Sequence, residues 1–400
     1  MKKGWQTKRI GEICDLATGG TPSRSKPEYF GGSIKWLVSG DIHEGEIRDC
    51  EGRITEAGMK NSNAKLLPVN SVMIALNGQG KTRGTVALLR VPATCNQSMV
   101  CMTPKPSSGL MPEFLYTNLH GRYEELRHMT SDDDKDRRGL NMGLIRSIEV
   151  PIAPLAEQQR IVGVLDEAFA GLATAQANAA KNLQNARALF ESHLQSVFTR
   201  RGDGWVEKHL KEVCEKITDG THQTPKYFDE GVVFLSSRNV TSGTIDWERI
   251  KYIDTKQHLE MHKRVAPRLN DILLAKNGTT GVAAIVDRDT TFDIYVSLAL
   301  LRALPTIRAR FLLHFINSPA AKVQFNKRLK GVGVPNLHLE EIREVRLAFP
   351  AELKEQDRVV AKLDALATET QRLAGHYEQK QAALAALKKS LLHQAFTGEL

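Results

Sequence analysis

Residues 75–82, A-L-N-G-Q-G-K-T, have the types and spacing of a loop that binds nucleotide phosphates. Ala75 stands in place of the first glycine of G-x-x-x-x-G-K-[ST], in which the lysine (here Lys81) contacts phosphates and the hydroxyl residue (Thr82) binds Mg²⁺. Such a loop joins a strand to a helix, whose N-terminus also faces the phosphate. Here "SVMIAL" predicts a strand before the loop, but "RGTVALLRV" predicts a second strand after it. The pattern therefore favours an Asn-Gly turn between two strands, and a P-loop nucleotide hydrolase is the alternative.

The other residues that could do chemistry form weaker patterns. His258 and His262 in "HLEMH" are four residues apart and could share a metal ion. The sequence offers no third ligand, and the glutamate is not where a zinc-protease helix has it, so we expect a solvated helix face and no metal site. The chain also lacks an Asn-Pro-Pro-[Tyr/Phe] methyltransferase motif. We therefore expect a chain that is not an enzyme and that binds no cofactor of its own.

The composition points to a nucleic-acid partner. The 400 residues carry a net charge of +9, which favours a polyanion such as double-stranded DNA. Five cysteines without metal-ligand spacing predict reduced thiols in a cytoplasmic chain. The start, "MKKGWQTKRIGEI", lacks the apolar core of a signal peptide. No apolar run approaches the roughly 20 residues that span a bilayer, so no membrane association is expected.

The chain contains an internal repeat. Trp5 and Cys14 recur 200 residues later as Trp205 and Cys214, and "EQQRIV" recurs 198 residues later as "EQDRVV". The turn recurs as A-K-N-G in place of A-L-N-G, without the Gly-Lys-Thr that follows the first copy. Each copy begins with short apolar runs separated by turn residues and ends in a stretch rich in strong helix formers. The repeat predicts two similar units.

Two stretches, at about residues 155–198 and 353–396, have apolar residues at alternating spacings of three and four. This spacing is typical of a coiled coil, and each helix would have roughly 45 residues and a length of about 65 Å. The second domain must link the end of the first helix to the start of the second, so we expect antiparallel pairing. The residues predicted at the helix seam are Ile161, Leu165, Leu172, Leu189, Val359, Leu363, Leu366, Leu373, Leu384, Leu387 and Leu391.

The fold class that follows is α/β, with two mixed α+β domains joined by a long antiparallel two-helix coiled coil and an internal pseudo-two-fold repeat. The predicted boundaries are 1–151 for the first domain, 152–200 for the first helix, 201–349 for the second domain and 350–400 for the second helix. Exposed helix residues such as Gln158, Arg160 and Glu167 are candidates for contacts with partner proteins, and a solvated helix face is the equal alternative.

Two basic domains on a rigid spacer could read two half-sites of DNA, whose helix repeats every ~34 Å. The domains differ in sequence, so we expect a bipartite and asymmetric target; a coiled-coil scaffold without DNA binding is the alternative. Polar and basic loop residues are the candidate contacts, because Arg and Lys can bind guanine and Asn and Gln can bind adenine. In the first copy they are Thr21, Ser23, Arg24, Lys26, Asn77, Gln79, Lys81, Thr82, Arg83, Lys135, Arg137 and Arg138. In the second copy they are Thr221, His222, Gln223, Lys226, Arg238, Asn239, Lys276, Asn277, Thr279, Thr280, Lys327, Arg328 and Lys330.

The segment "EVPIAPLAEQQRIVGVLD" (149–166), its copy "RLAFPAELKEQDRVVAKLD" (346–364) and the helix endings "LQSVFT" and "LHQAFTG" are family-specific. Together with the opening "ICDLATGGTPSRSKPEYFGGSIKWLVSGDI", they make the whole chain resemble the specificity subunits of type I restriction–modification systems. The second junction departs from the usual pattern, since "PAELKEQ" has two extra residues.

The resemblance implies two target recognition domains that each read half of a split DNA sequence. It also implies helices that dock two modification subunits, which bind S-adenosylmethionine and methylate adenine. Two restriction subunits, which use ATP and magnesium, would complete the nuclease.

Overall fold

The computed structural model describes residues 4–78, 80–130, 139–200, 202–240, 243–278, 280–329 and 336–400. The chain divides into two compact units. The first unit comprises Met1–Asn178 and Lys380–Leu400, and the second comprises Ala179–Gln379. Each unit thus contains one predicted globular domain and parts of both long helices, so the compact units do not follow the predicted helix boundaries. Among the described residues, no helix is long and apolar enough to cross a membrane.

The first unit is built on short strands followed by a long helix. Its strands are β1 (Gln6–Arg9), β2 (Cys14–Thr18), β3 (Phe30–Leu37), β4 (Glu46–Ile47), β5 (Arg53–Ile54), β6 (Ser71–Ala75), β7 (Val86–Leu89), β8 (Thr94–Cys95), β9 (Met99–Pro104) and β10 (Glu149–Ile152). Its helices are α1 (Ile10–Ile13), α2 (Glu56–Lys60), α3 (Pro112–Gly121), α4 (Tyr123–His128), α5 (Met142–Ser147) and the start of α6 (Leu155–Thr199). The sheets have the orders β2-β9-β6-β7-β4, β5-β3-β8 and β1-β10.

The second unit repeats this plan. Its strands are β11 (Trp205–His209), β12 (Cys214–Asp219), β13 (Val232–Leu235), β14 (Lys251–Ile253), β15 (Ile272–Ala275), β16 (Ala283–Ile285), β17 (Phe292–Ile294), β18 (Leu298–Ala303) and β19 (Arg346–Pro350). Its helices are α7 (Leu210–Val213), α8 (Thr255–Arg264), α9 (Ala309–Asn317), α10 (Pro319–Asn326), α11 (Leu339–Arg343) and most of α12 (Leu353–Thr397). The sheet orders β12-β18-β15-β16, β14-β13-β17 and β11-β19 match those of the first unit strand for strand, apart from β4. The predicted repeat is confirmed.

The helices α6 and α12 run antiparallel, as predicted. In the first unit Ile161 and Leu165, near the start of α6, share a hydrophobic core with Ala395, near the end of α12. In the second unit Leu194 and Phe198, near the end of α6, share a core with Leu363, near the start of α12. The burial of these apolar stripes holds the helices together, since a helix of this length gains most of its stability from packing.

The seam is less regular than the predicted spacing. Ile161, Leu165, Leu172 and Leu363 are buried, whereas Leu189 and Leu387 are 53% and 47% exposed. The buried side of α6 instead continues through Ala186, Leu194 and Phe198 at multiples of four residues, which turns Leu189 outward. The other predicted seam residues are half-buried: Val359, Leu366, Leu373, Leu384 and Leu391.

An aromatic cluster joins each long-helix end to its domain. Phe114 of α3 packs against Trp5 and Phe396, with ring centroids 6.2 and 5.2 Å apart. In the second unit Phe311 of α9 packs in the same way against Trp205 at 6.1 Å and Phe198 at 5.4 Å. These edge-on contacts favour a fixed ring orientation, so each domain is tied to the long helix that ends beside it.

Candidate nucleic-acid interface

The segment that resembles a P-loop is the turn of a β-hairpin. Strands β6 and β7 pair antiparallel, with Ile74 opposite Val86. The amide of Ala75 donates to the Thr85 carbonyl at 3.0 Å, and that of Gly84 donates to the Ala75 carbonyl at 3.0 Å. A strand therefore follows the turn, where a phosphate-binding loop needs a helix N-terminus. Strands β15 and β16 form the same hairpin in the second unit, which confirms the strand–turn–strand prediction.

Side chains from neighbouring elements hold the first turn. The Tyr123 hydroxyl of α4 donates to the Lys81 carbonyl at 3.1 Å, and Arg127 donates to the Gly80 carbonyl. His43 Nε2 lies 3.1 Å from Thr82 Oγ1. The backbone at Gly80 and Lys81 is thus held in place while the side chain of Lys81 is exposed, which suits a cation that contacts an external anion.

Three chain segments meet beside this turn. The Thr21 hydroxyl donates to Gln97 Oε1 at 2.6 Å, and the amide of Leu76 donates to the Ser98 carbonyl at 2.8 Å. We call Thr21, Asn77, Lys81 and Gln97 the first rim; Asn77, Lys81 and Gln97 are exposed and Thr21 is half-buried. The structure thus brings Thr21 together with the turn, as expected for residues that contact one ligand.

The loop after Thr21 makes its own contacts. Ser23 Oγ lies 2.8 Å from Ser25 Oγ, and the Lys26 ammonium donates to the Tyr29 hydroxyl at 3.2 Å. This bond raises the pKa of Lys26. Ser23, Arg24 and Lys26 are exposed, and Thr82 and Arg83 are half-buried. These contacts lie within the loop that follows Thr21 and do not connect that loop to the hairpin turn.

A β-bulge shifts the equivalence between the units. The pairing of β12 with β18 skips a residue between Cys214 and Lys216, whereas β2 pairs with β9 without interruption. The amide of Gly20 therefore donates to the Cys95 carbonyl at 2.9 Å where that of Thr221 donates to the Ile294 carbonyl at 3.0 Å. Thr221 corresponds to Gly20 and is buried, so its prediction as a DNA contact was wrong. The exposed residue His222 occupies the place of Thr21.

Two further predicted contacts of the second unit are also buried. Lys276 is 6% exposed, and its ammonium donates to Asp219 Oδ2 at 2.7 Å. Asn239 is 6% exposed, and its amide donates to the carbonyls of Asp246 and Arg249. Both side chains are buried against internal partners and so are not available to DNA. Their polar loop positions in the sequence gave no sign of these partners.

Asp219 is the centre of a charged cluster. Besides Lys276 it accepts from Arg264 at 2.7 Å and lies 3.3 Å from His222 Nε2. Burial would raise the pKa of the Asp219 carboxyl, but the bonds from Lys276 and Arg264 outweigh it and lower the pKa below its usual value. The carboxylate therefore stays charged and holds His222 at the surface.

The second unit also gathers polar side chains at the corresponding edge. Thr224 Oγ1 lies 3.4 Å from the Tyr295 hydroxyl, and the amide of Lys276 donates to the Ser297 carbonyl at 2.9 Å. We call His222, Gln223, Asn277 and Tyr295 the second rim. Asn277 is half-buried and forms an isolated antiparallel β-bridge with Asn336.

The remaining candidates of the second unit differ in exposure. Lys226, Arg238 and Lys327 are exposed, Arg328 donates to the Gln324 carbonyl at 3.1 Å, and Thr280 donates to the Lys276 carbonyl at 3.2 Å. Six candidates lie outside the described residues: Gln79, Lys135, Arg137, Arg138, Thr279 and Lys330.

Sequence reasoning missed Gln97, His43 and Tyr295, because none of them belongs to a motif. Gln97 follows β8 by two residues, and Tyr295 follows β17, the equivalent strand of the second unit, by one residue. The ends of strands in the repeated frame are therefore the signal that could have identified them.

The expectation of a solvated helix face at His258 and His262 was wrong. Both imidazoles lie against the buried carboxylate of Asp293, with Nδ1–O distances of 2.7 and 3.0 Å. The third group comes from β17, more than 30 residues along the chain, which is why the sequence around the histidines did not reveal it.

On the long helices, Gln158 is fully buried and so is not a partner contact. Arg160 is exposed but donates to Glu157 at 2.8 Å and to the Leu400 carbonyl at 2.7 Å. Glu167 is exposed. Of the three helix candidates for partner contacts, Arg160 and Glu167 lie at the surface.

Comparison with known proteins identifies a family and several relatives of this chain. The family described as "Type I restriction modification DNA specificity domain" matches residues 2–182 and 202–379. The EcoR124I/EcoR124II specificity subunit of Escherichia coli is 30% identical over 165 residues, which cover 41% of this chain and 40% of that subunit. The MjaIX specificity subunit of Methanocaldococcus jannaschii is 30% identical over 174 residues, covering 41% of this chain and 38% of the subunit. These two matches therefore span about two fifths of the relatives' length.

Full-length matches are more distant. The EcoKI specificity subunit of Escherichia coli K12 is 21% identical over 430 residues, covering 100% of this chain and 90% of that subunit. A chain from the structure described as "Structural basis underlying complex assembly and conformational transition of the type I R-M system" is 20% identical, with a TM-score of 0.81 and coverage of 100% and 99%. The HsdS subunit of Thermoanaerobacter tengcongensis is 19% identical, with a TM-score of 0.64 and coverage of 100% and 98%. At these identities the structural matches establish the fold.

Proposed function

Because the chain belongs to the type I restriction–modification DNA specificity family, we propose that it reads a bipartite, asymmetric DNA target with its two units. Its curated relatives are specificity subunits, a non-catalytic class. The chain itself would recognise the DNA sequence, and modification subunits that bind S-adenosylmethionine would carry out methylation. ATP and magnesium would belong to restriction subunits.

The observation that carries the proposal is a repeated frame with different side chains at its edge. Both units build the same hairpin beside the same strand ends. Thr21 of the first rim corresponds to His222 of the second, and exposed Gln97 has no glutamine counterpart at the paired position. Rims with different hydrogen-bonding groups suit half-sites of different sequence.

The net charge of +9 supports binding to the phosphate backbone. In the first rim Lys81 is the exposed cation on a turn whose backbone is held by α4. Phosphate contacts fix the register on the duplex, and base contacts specify sequence. We assign Lys81 to the former role and Gln97 to the latter.

The long helices are the proposed docking surface for adenine methyltransferase subunits. Exposed residues, including Glu167, follow the outward face of α6 for most of its 45 residues. The same helices would set the distance between the half-sites. A rod of about 65 Å corresponds to roughly two turns of B-DNA.

The test is footprinting of the full chain in complex with its modification subunits. We expect two protected patches separated by an unprotected gap. Lys81→Ala should weaken one patch and leave the other, whereas the control Lys105→Ala should weaken neither. Lys105 follows the far end of β9 from Gln97, and its ammonium donates to the Glu12 carbonyl at 3.0 Å. A complex that assembles but gives no two-patch protection would favour the protein scaffold instead.

A further inference from the structure

Two histidines and an aspartate form a compact cluster in the second unit. His258 and His262 lie one turn apart on α8, which places both on one face of the helix. Their Nδ1 atoms lie 2.7 and 3.0 Å from the two carboxylate oxygens of Asp293 on β17, and the imidazole centroids are 4.7 Å apart. Three potential ligand atoms therefore converge on one point.

The carboxylate at the centre of the cluster is out of contact with water. The side chain of Asp293 is 1% exposed, and its ion-pair partners among the described residues are these two histidines. An isolated buried carboxylate is costly unless a cation compensates it. A divalent cation bound among these three side chains would compensate the carboxylate's charge.

The ligand types and spacing suit a transition metal. The three candidate donor atoms lie within 4.8 Å of one another, and metal–ligand bonds of about 2.0–2.2 Å hold tetrahedral donors roughly 3.3 Å apart. Two imidazole nitrogens and one carboxylate are a common set for Zn²⁺ and related divalent ions. The His262 side chain is 32% exposed, so water could complete the coordination.

The internal repeat shows that the fold does not require this cluster. In the first unit Thr94 pairs with Trp36 where Asp293 pairs with Phe234. The Thr94 hydroxyl donates to the Lys35 carbonyl at 2.9 Å, so a neutral side chain fills the equivalent position. The buried charge and its two histidines are therefore an addition to the second unit alone.

From this convergence we propose that His258, His262 and Asp293 bind one divalent transition-metal ion of the Zn²⁺ class. The ion joins α8 to β17. In the first unit Thr94 stands at the strand position of Asp293, so the ligand set is not repeated there.

The helix that the ion would fix also holds the loop of the second rim. Gln257 exchanges two hydrogen bonds with the backbone of Lys226, at 2.8 and 3.1 Å. At the other end of α8, Arg264 donates to Asp219 at 2.7 Å and lies 3.3 Å from His222. The ion would therefore stabilise the loop that carries His222. This consequence rests on the proposed function, whereas the metal site itself does not.

The site is tested by titrating Co²⁺ into the full, untagged chain and recording its visible d–d absorption. We expect one Co²⁺ per chain and loss of the signal in His258→Asn and His262→Asn. Asparagine places an amide near Nδ1, so it keeps the hydrogen bond to Asp293 but is a poor ligand. The loss in affinity should exceed the roughly 10–100-fold that removal of an outer-sphere partner costs. His376→Asn, at an exposed position of α12, is the matched control.

The cysteines should not contribute to that signal. Burial raises the pKa of all five cysteines, to about 12 for Cys14, Cys95 and Cys214, which keeps them as thiols. The spectrum should therefore lack thiolate-to-cobalt charge transfer. X-ray absorption of the wild-type Co²⁺ form should show imidazole ligands, and it decides the case even where a variant does not fold. Failure of Co²⁺ to bind, or binding that the two asparagine variants do not change, overturns the site.

The coupling to recognition has its own readout. Zn²⁺ added to the chelator-treated complex should strengthen only the footprint patch that Lys81→Ala leaves intact. Metal binding without this effect overturns the coupling but leaves the site in place. Metal binding without any DNA protection contradicts the proposed function instead.

Discussion

Replacing Gln158 by methionine should loosen the junction between α6 and the first domain. The fully buried carboxamide accepts from the Met111 amide at 2.8 Å and donates to the carbonyls of Gly109 and Ala153, both at 2.8 Å. The bonds to Met111 and Gly109 connect the first turns of α6 to the segment that leads into α3, and the bond to Ala153 holds the residues just before α6. Methionine has a similar size but cannot replace any of the three bonds.

The expected cost follows from those bonds. Each is worth about 1 kcal/mol net, and a fully buried group left without a partner costs more. Two of the three contacts are only partly buried, so water can replace some of what they lose. We therefore expect the free energy of unfolding of the first unit to fall by about 3 kcal/mol, or roughly 100-fold in the opening equilibrium.

Hydrogen exchange followed by mass spectrometry measures this in the full chain, because it reports each unit separately. Amides of α3 should exchange roughly 100-fold faster in Gln158→Met. Gln159→Met, at the exposed neighbouring position, is the control and should change stability by less than about 0.5 kcal/mol. Equal exchange in the two variants would refute the reasoning.

The second unit offers an internal test of the same reasoning. Gln356 accepts from the Arg308 amide at 2.8 Å and donates to the carbonyls of Thr306 and Pro350 at 3.1 and 2.9 Å. Gln356→Met should accelerate exchange in α9 and leave α3 unchanged. Acceleration in both units from either substitution would mean that the carboxamide acts globally and not through its three bonds.

Three further predictions concern charge, pH and length. Lys276→Leu should destabilise the second unit by about 3 kcal/mol in urea unfolding, because it leaves the buried Asp219 with fewer partners; Asp219→Thr/Lys276→Leu should recover much of this, and no recovery would contradict a paired charge. Burial lowers the pKa of His314 below 6.5, despite the hydrogen bond from its Nε2 to the Asp364 carboxylate, so the imidazole binds a proton more tightly in the unfolded chain and stability should fall as pH drops from 7 to 5. His314→Asn should flatten that pH profile, and an equally steep profile would assign the loss to other groups. Deleting one heptad from both α6 and α12 should shorten the unprotected DNA gap by about 10 Å, or roughly three base pairs, and an unchanged gap would exclude the helices as spacer.

The repeat explains which features could be predicted from sequence. The hairpin at Asn77 was recognised because its second copy kept the turn but lost Gly-Lys-Thr. The antiparallel helices followed from the order of the segments. Thr221 was misplaced because a single-residue bulge between Cys214 and Lys216 changes the register without changing the pattern of apolar residues.

The side-chain partners of buried polar residues were beyond sequence analysis. Lys276 follows a strand in a polar turn, as an exposed contact would, and only folding brings Asp219 within 2.7 Å of it. Likewise the spacing of His258 and His262 fits any exposed helix face, and only the folded structure shows that both imidazoles contact Asp293. Leu189 kept a correct local spacing, yet the inward stripe of α6 passes through Leu194 and Phe198 instead.

The two copies separate residues that maintain the fold from residues that distinguish the units. Gln158 and Gln356 occur in both copies, and each binds three backbone groups that any sequence on this frame would present. Lys276 and Asp293 occur in one copy, and each binds side chains that are also absent from the other copy. Substitution of Lys276 alone leaves the buried Asp219 carboxylate with fewer partners, and substitution of the two histidines alone leaves the buried Asp293 carboxylate without its partners, so these clusters must be gained or lost as sets. A specificity change that moves second-unit loops into the first unit should therefore carry Asp219 together with Lys276, and α8 together with Asp293. Transfer of one member of either pair without the other should destabilise the recipient unit before it changes DNA recognition.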